Sequence, residues 1–303
     1  MSIKKKIVVA MSGGVDSSVC ALLLKQQGYE VEGLFVKNWD YGELGSKCPN
    51  KIEFEDAKKV GEVLGINVIG RDFVKEYQER VFKHFVDGLK QGFTPNPDIL
   101  CNKEMKFNVF MQEVKAMNSD IIATGHYAKI TKINDEFILD KAKDSSKDQT
   151  YFLHALNQKQ LSSAMFPLAD LTKTEVREIA RKNNLPISEK KDSVGICFIG
   201  KQKFDTFIAN YIKGISGDIV DDTGVKIGTH SGLAGYTIGQ RKGLGVGGGH
   251  SKDGSAWYVA KKDVKKNILY AVQDTNHPWL MNSEITAKNF HYISSIKLQK
   301  GDE

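Results

Sequence analysis

Ile7-Val8-Val9-Ala10-Met11-Ser12-Gly13-Gly14-Val15-Asp16-Ser17-Ser18 is the stretch whose reading decides the fold. The apolar run at its start reads as a strand buried on both faces, because no polar residue interrupts it. Val15, Val19, Leu22 and Leu23 follow at helical spacing, and Gly28 is the expected stop. Around the strand-to-helix turn lie two glycines, Gly13 and Gly14, and three serines, Ser12, Ser17 and Ser18. Glycines let the backbone turn sharply and bring N–H groups close to a ligand, the hydroxyls add donors, and a helix N-terminus favours phosphate. Asp16 is out of place in a pure anion site, which points to a magnesium contact or a helix-start role. The Gly-Lys-Ser/Thr of a Walker loop is absent.

Outward from this stretch the chain alternates. Val31 to Val36 reads as a strand, Ala57 to Leu64 as helix, Asn67 to Ile69 as strand, Asp72 to Leu89 as helix and Ile121 to Ala123 as strand. Strands alternating with helices predict an α/β fold, a doubly wound and mostly parallel sheet. Helical patterns dominate from Gln149 to about Lys182, with Pro186 as a breaker. Beyond Gly214 the grammar changes. Asp221-Asp222-Thr223-Gly224 between two apolar runs is a hairpin signal, and Trp257-Tyr258-Val259 with Ile268-Leu269-Tyr270 is a second. We therefore expect residues 1–204 to form the first domain and 205–281 a smaller β-rich one. The stretch 282–303 opens like a further strand.

The chain has 303 residues, 41% hydrophobic and 26% charged, with a net charge of +6. That mild basic excess is compatible with a nucleic-acid partner. No run approaches the roughly 18 apolar residues of a membrane span, and Ile7 to Met11 is too short for a signal-peptide core. A cytoplasmic protein is expected. Gly243-Leu-Gly245-Val-Gly-Gly248 formally matches a dinucleotide fingerprint but has no helix after it, so a basic loop with Arg241 and Lys242 is the better reading.

Four cysteines, Cys20, Cys48, Cys101 and Cys197, are too scattered for a disulfide scaffold, a zinc site or a cluster. Cys20 falls on the apolar side of the first helix. Cys101 follows Thr94-Pro95-Asn96-Pro97-Asp98, a rigid loop, and precedes a helical pattern containing Lys103 and Lys106, which would favour the thiolate. Asp98 lies close enough to exchange a proton with it. Cys197 sits among glycines after Lys190-Lys191. Each could equally be a structural cysteine on residue statistics alone. His126 and His154 fit structural roles better than acid–base ones, and Trp39 and Phe93 fit core packing better than base stacking.

SGGVDS after a buried strand resembles the PP-loop of the ATP pyrophosphatases, which split ATP between its α- and β-phosphates. Together with LFVKNW (34–39), TPNPDILCNKEMKF (94–107), ATGHYA (123–128), KDQTYFL (147–153), KKDSVGICFIG (190–200) and GQRKGLGVGG (239–248), it makes the whole chain similar to the bacterial tRNA-specific 2-thiouridylase family. The resemblance implies an adenine nucleotide alpha hydrolase-like fold. It implies an ATP site at Ala10, Met11, Ser12, Gly13, Gly14, Val15, Asp16 and Ser17, with Val36 (methionine in the family) and Gly125 at the nucleotide. Asn96, Pro97 and Asp98 would touch the target base, and Lys147, Asp148 and Gln149 the tRNA. Cys101 and Cys197 would be catalytic, with Cys197 carrying a persulfide and a transient Cys101–Cys197 disulfide closing the cycle. ATP is the implied co-substrate, with magnesium; tRNA and a sulfur-donor protein are the implied partners; no zinc or iron–sulfur cluster and no membrane are expected. The family continues into a C-terminal β-barrel, so residues 282–303 are expected to be its beginning and the chain a truncated form. Two rival readings remain at this point: a PP-loop ligase acting on a small molecule, and a non-catalytic tRNA-binding protein.

Overall fold

The computed structural model describes residues 5–42, 48–192, 195–196, 198–199, 203–246 and 255–294. The chain divides into two compact units: residues 1–82, 97–198 and 291–303, and residues 83–96 with 199–290.

The first unit is built on β1 (Lys6–Ala10), β2 (Glu30–Lys37), β3 (Val68–Asp72), β4 (Ile122–Ala123) and β7 (Ala164–Met165). They form one sheet in the order β3-β2-β1-β4-β7, every pair parallel. Ile7, Val8 and Val9 in the central strand are fully buried, as the uninterrupted apolar run requires. Helix α1 (Val15–Gln26) buries Val15, Val19, Leu22 and Leu24, and helix α2 (Pro49–Leu64) adds Ala57, Val60 and Leu64 to the same core. The parallel α/β class expected from the sequence is the one observed.

Three differences from the sequence reading have physical causes. Helix α2 begins at Pro49, eight residues before Ala57, because proline fits the first helical position and the carbonyl of Cys48 accepts from the amides of Lys51 and Ile52. An antiparallel hairpin, β5 (Ala128–Ile133) and β6 (Glu136–Lys141), turns at Asn134 with φ 54°, where no strand was expected. The stretch read as helical after Gln149 also contains the two-residue strand β7.

The second unit has the sheet order β10-β11-β8-β9, from β8 (Gly217–Val220), β9 (Lys226–His230), β10 (Tyr258–Asp263) and β11 (Ile268–Val272). Both hairpins read from the sequence are antiparallel pairs. Their inner faces bury Ile219, Ile227, Val259 and Leu269. The strand expected after Met281 is not formed up to Ser294. Instead Leu156 O accepts from the imidazole of His291, and Ile293 O from the amide of Gln158, which return this segment to the first unit. Among the described residues no helix is long and apolar enough to cross a membrane.

Candidate nucleotide site and cysteine helix

The strand order reverses between β1 and β4. In open α/β sheets ligands bind outside the carboxyl ends of the strands at such a switch point. Two short segments meet there. Ser12-Gly13-Gly14 leads from β1 into α1, and Thr124-Gly125-His126 leaves β4. Gly13 has φ 72°, and a side chain on it would overlap the carbonyl oxygen of Glu53 in α2. A Cβ on Gly125 would lie 2.8 Å from the backbone of Asp16 and Ser17. Only glycine lets these segments close on each other.

The loop is internally bonded. Ser12 N–H donates to Ser17 Oγ at 3.2 Å, and the hydroxyls of Ser17 and Ser18 donate to Gly14 O at 3.2 and 2.8 Å. Gly14 caps α1 without a side-chain bond, so the helix opens with unsatisfied amides. They border a cavity of about 260 Å³ lined by Ser12, Gly14, Val15 and Asp16 together with Glu53, Tyr127, Lys147, Gln149, Lys173, Lys190, Lys191 and Asp192. Four lysines face three carboxylates there, an excess suited to a polyphosphate.

The lysines are positioned. Lys173 bonds both oxygens of Asp16 (2.7 and 2.8 Å) and Asp192 (2.8 Å), and Tyr127 donates to Asp16 at 3.0 Å. Lys190 donates to Gly13 O (2.9 Å) and Asp56 (2.8 Å). Burial pushes Glu53 up from the usual carboxylate range against the pull of Lys190. Burial also raises Asp192, but Lys173, Arg177 and Lys147 outweigh it and hold the carboxyl low. The Tyr127 hydroxyl is pushed up, by burial first and then by the Asp16 charge.

Of the residues expected at the nucleotide, Ser12, Gly14, Val15 and Asp16 line the cavity. Ala10 ends β1, and Met11 and Ser17 are buried beneath the loop. Val36 lies on β2 opposite Arg71 and is not among the residues lining the cavity. Lys147 and Gln149, expected at the tRNA, are part of that wall; Gln149 Oε1 accepts from Tyr127 N at 2.9 Å. Asp148 accepts from the hydroxyl of Thr150, the first residue of the turn Thr150–Phe152, at 2.8 Å. Lys173, Lys190, Lys191, Tyr127, Glu53 and Asp192 were not foreseen. Their approach depends on contacts up to 177 residues apart, as in Lys190 with Gly13, which no local pattern encodes.

That same turn ties the cavity to the cysteine helix. Asn102 Nδ2 donates to Phe152 O at 3.1 Å, and Gln160 Nε2 donates to Lys103 O and Phe107 O. The helix starts at Pro97, earlier than the sequence suggested, so Asp98 lies in its first turn and Cys101 opens a π-helical stretch that is broken by a kink at Phe107. Such wide turns recur at functional sites. Cys101 is 5% exposed. Asn102 is buried, and its Oδ1 has no partner among the described residues. Asp98 is shifted upward by burial, opposed by Lys106. His126 is driven well below the ordinary range by burial and by the same Lys106. Lys106 Nζ lies 3.4 Å from His126 Nε2, and His126 Nδ1 lies 2.7 Å from Thr124 Oγ1. A neutral ring accepting from the lysine and donating to the threonine satisfies both contacts. His126 thus links the loop after β4 to the cysteine helix. Its counterpart His154 has Nδ1 2.7 Å from Tyr151 O. Cys197 lies outside the described residues. Asn96 is exposed, and Pro97 is buried. Among the described residues no group of three His, Cys, Asp or Glu could hold a metal.

A parallel sheet with a Gly-Ser loop at its switch point and lysines around the helix start defines a nucleotide-binding α/β protein of the PP-loop class. Residues 5–201 match the family described as tRNA methyl transferase HUP domain, and residues 205–273 its PRC-barrel domain. The chain is 63% identical to the tRNA-specific 2-thiouridylase MnmA 2 of Aliarcobacter butzleri, over 100% of its own length and 84% of that protein. It is 51% identical to the tRNA-specific 2-thiouridylase MnmA of Methylobacillus flagellatus, over 96% of the chain and 81% of the relative. Among solved structures, NMN synthetase from Francisella tularensis aligns over 67% of this chain and 72% of its own with 18% identity and a TM-score of 0.40, a distant likeness. The chain belongs to the MnmA-type tRNA-specific 2-thiouridylase family.

Proposed function

We propose that this chain thiolates C2 of a uridine in the anticodon loop of tRNA at the expense of ATP, acting in the cytoplasm. The observation that carries the reading is the lysine-ringed loop cavity, tied through Thr150–Phe152 to a helix bearing Asp98 and Cys101. The C2 oxygen is a poor leaving group. It attacks the α-phosphate of ATP, forming an adenylate, and pyrophosphate departs into the field of Lys147, Lys173, Lys190 and Lys191. Magnesium would be held by the phosphates and Asp16, and when bound would neutralise charge on them. Asp98, whose burial favours the protonated form, handles the proton at the base, with Asn96 and Pro97 against it. Lys147, Asp148 and Gln149 are assigned to the RNA side of the same wall, and Val36 and Gly125 to the nucleotide.

The sulfur comes from a donor protein as a persulfide on Cys197. Its terminal sulfur attacks C2, and AMP leaves with the former C2 oxygen. The Cys101 thiolate then attacks the Cys197 sulfur, breaking the bond to the transferred sulfur. Thiouridine is released and a Cys101–Cys197 disulfide forms, which an external dithiol must reduce by two electrons before the next cycle. In this scheme residues 1–204 carry the chemistry and 205–281 form a small RNA-facing part. The loop cavity favours this over the methyl transfer that the family description mentions.

The test is the fate of α- and γ-labelled ATP with unmodified tRNA transcript and a persulfide donor. The reading predicts AMP and pyrophosphate, dependent on tRNA. Formation of ADP and phosphate would overturn it, and AMP formed equally without tRNA would favour a small-molecule ligase.

A further inference from the structure

Phe93 was expected to be core, yet it is 63% exposed, whereas Trp39, the other aromatic considered for stacking, is 7% exposed against Tyr77, Phe82 and Phe198. A phenylalanine held out in water has a hydration cost that packing does not offset. Its backbone is fixed nonetheless. The helix Lys83–Lys90 ends with Gly92 N–H on Leu89 O and Phe93 N–H on Gly88 O, and Gly92 takes φ 85°, a closed helix terminus. In the same unit Thr94 Oγ1 lies 3.4 Å from Thr237 Oγ1. The loop it meets is equally anchored: Gly239 N–H donates to Val259 O, and Val259 N–H to Gln240 O. That loop presents Ile238, 50% exposed, then Arg241 and Lys242, both exposed. The segments 91–96 and 237–246 together hold two cations and no carboxylate.

We infer that Phe93, with Ile238, Arg241 and Lys242 on the loop that Thr94 meets through Thr237, is a docking surface for single-stranded RNA, Phe93 stacking on an unpaired base. The inference rests on the proposed tRNA reading and adds a surface to it. An exposed aromatic on an anchored backbone offers a stacking face without ordering a loop, and every base has a π-face to meet it. The cations match the phosphates, while the missing carboxylates remove repulsion. An acidic protein partner would use the cations but gain little from a lone ring.

The test is binding of a 17-nucleotide anticodon stem-loop, with an RNA duplex of equal charge as reference. Phe93→Ala should weaken stem-loop binding by about 5- to 150-fold, the range for one base–aromatic stack. Phe93→Tyr should stay within about threefold of the parent. Neither should alter duplex binding. Phe93→Trp should add fluorescence that the stem-loop quenches and the duplex does not. Arg241→Gln with Lys242→Gln should lower the log–log salt slope by about 1.4. If the parent prefers the stem-loop but Phe93→Ala binds it equally well, the surface is refuted and the reading stands. If the parent shows no preference for the stem-loop, both fall.

Discussion

Gly13→Ala isolates the geometry on which the nucleotide site depends. Two costs can be separated with glycines of this chain. At Gly28, φ is 89° and no heavy atom lies within 4 Å of an added Cβ, so alanine there meets only the left-handed backbone penalty, about 1–2 kcal/mol. Gly13 has the same kind of backbone, φ 72°, but its Cβ would lie 3.0 Å from the Glu53 carbonyl carbon and closer to the oxygen. Both atoms are backbone of α2, so the helix or the loop must move, adding about 1–3 kcal/mol. The sum is about 2–5 kcal/mol. Gly14 has φ −99° and meets only the flexible Ser12 hydroxyl at 3.3 Å, so its alanine costs about 1 kcal/mol or less. At about 2–4 °C per kcal/mol, Gly13→Ala should lower Tm by about 4–20 °C, Gly28→Ala by about 2–8 °C and Gly14→Ala by under about 4 °C. In the ATP–pyrophosphate assay Gly13→Ala should lose about 100-fold, the cost of misplacing a phosphate cradle by an ångström, and Gly28→Ala nearly nothing. A Gly13→Ala protein that matches Gly28→Ala in both Tm and rate would refute the close packing of loop on α2.

Lys173→Met removes the cation that bonds Asp16 and Asp192 and should lower AMP formation by about 10²-fold; a rate within threefold of the parent contradicts its place in the phosphate site. Asp98 has a raised carboxyl through burial, so its contribution to stability is fully present below the unfolded value near pH 4 and is lost as pH rises through the folded one. Denaturant titrations should therefore find Asp98→Asn gaining stability relative to the parent from pH 4 to 8, and an unchanging difference would show the carboxyl is not desolvated. Cys20 is fully buried with its thiol pushed up by desolvation, whereas Cys48 is partly exposed. Timed alkylation read by peptide mass should label Cys48 first and leave Cys20 unlabelled until unfolding; early labelling of Cys20 would contradict the packing of α1.

The core of the first unit was legible because its signals are local. Ile7 to Val9 is an unbroken apolar run, and Gly13-Gly14 before Val15 marks the strand-to-helix turn. The Asp221–Gly224 turn was legible for the same reason: Asp221 N–H donates to Val225 O, and its carboxylate accepts from the amides of Thr223 and Val225. β7 was not, since two residues carry no periodicity and its pairing with β4 is the only thing that makes it a strand. The first half of α2 was obscured because its exposed residues mix polar Lys51 and Glu55 with apolar Ile52, which blurs the helical period. At the site, the loop and the Asp98–Cys101 spacing were written in adjacent residues. Lys173 was not, because it reaches Asp16 only after the sheet has formed. Phe93 misled for a different reason: an aromatic is usually core, and only the closed helix terminus at Gly92 shows it held outward.

The central claim is that sulfur reaches C2 of a tRNA uridine through this chain's own cysteines. Its most direct test is mass analysis of nucleosides from an unmodified tRNA transcript incubated for a single turnover with the protein, ATP, magnesium and a persulfide donor, without dithiol. The account predicts 2-thiouridine with the parent chain, and none with Cys197→Ser or Cys101→Ser. In the same reaction the parent alone should accumulate a Cys101–Cys197 disulfide. Thiouridine formed undiminished by the Cys197→Ser chain would contradict the account.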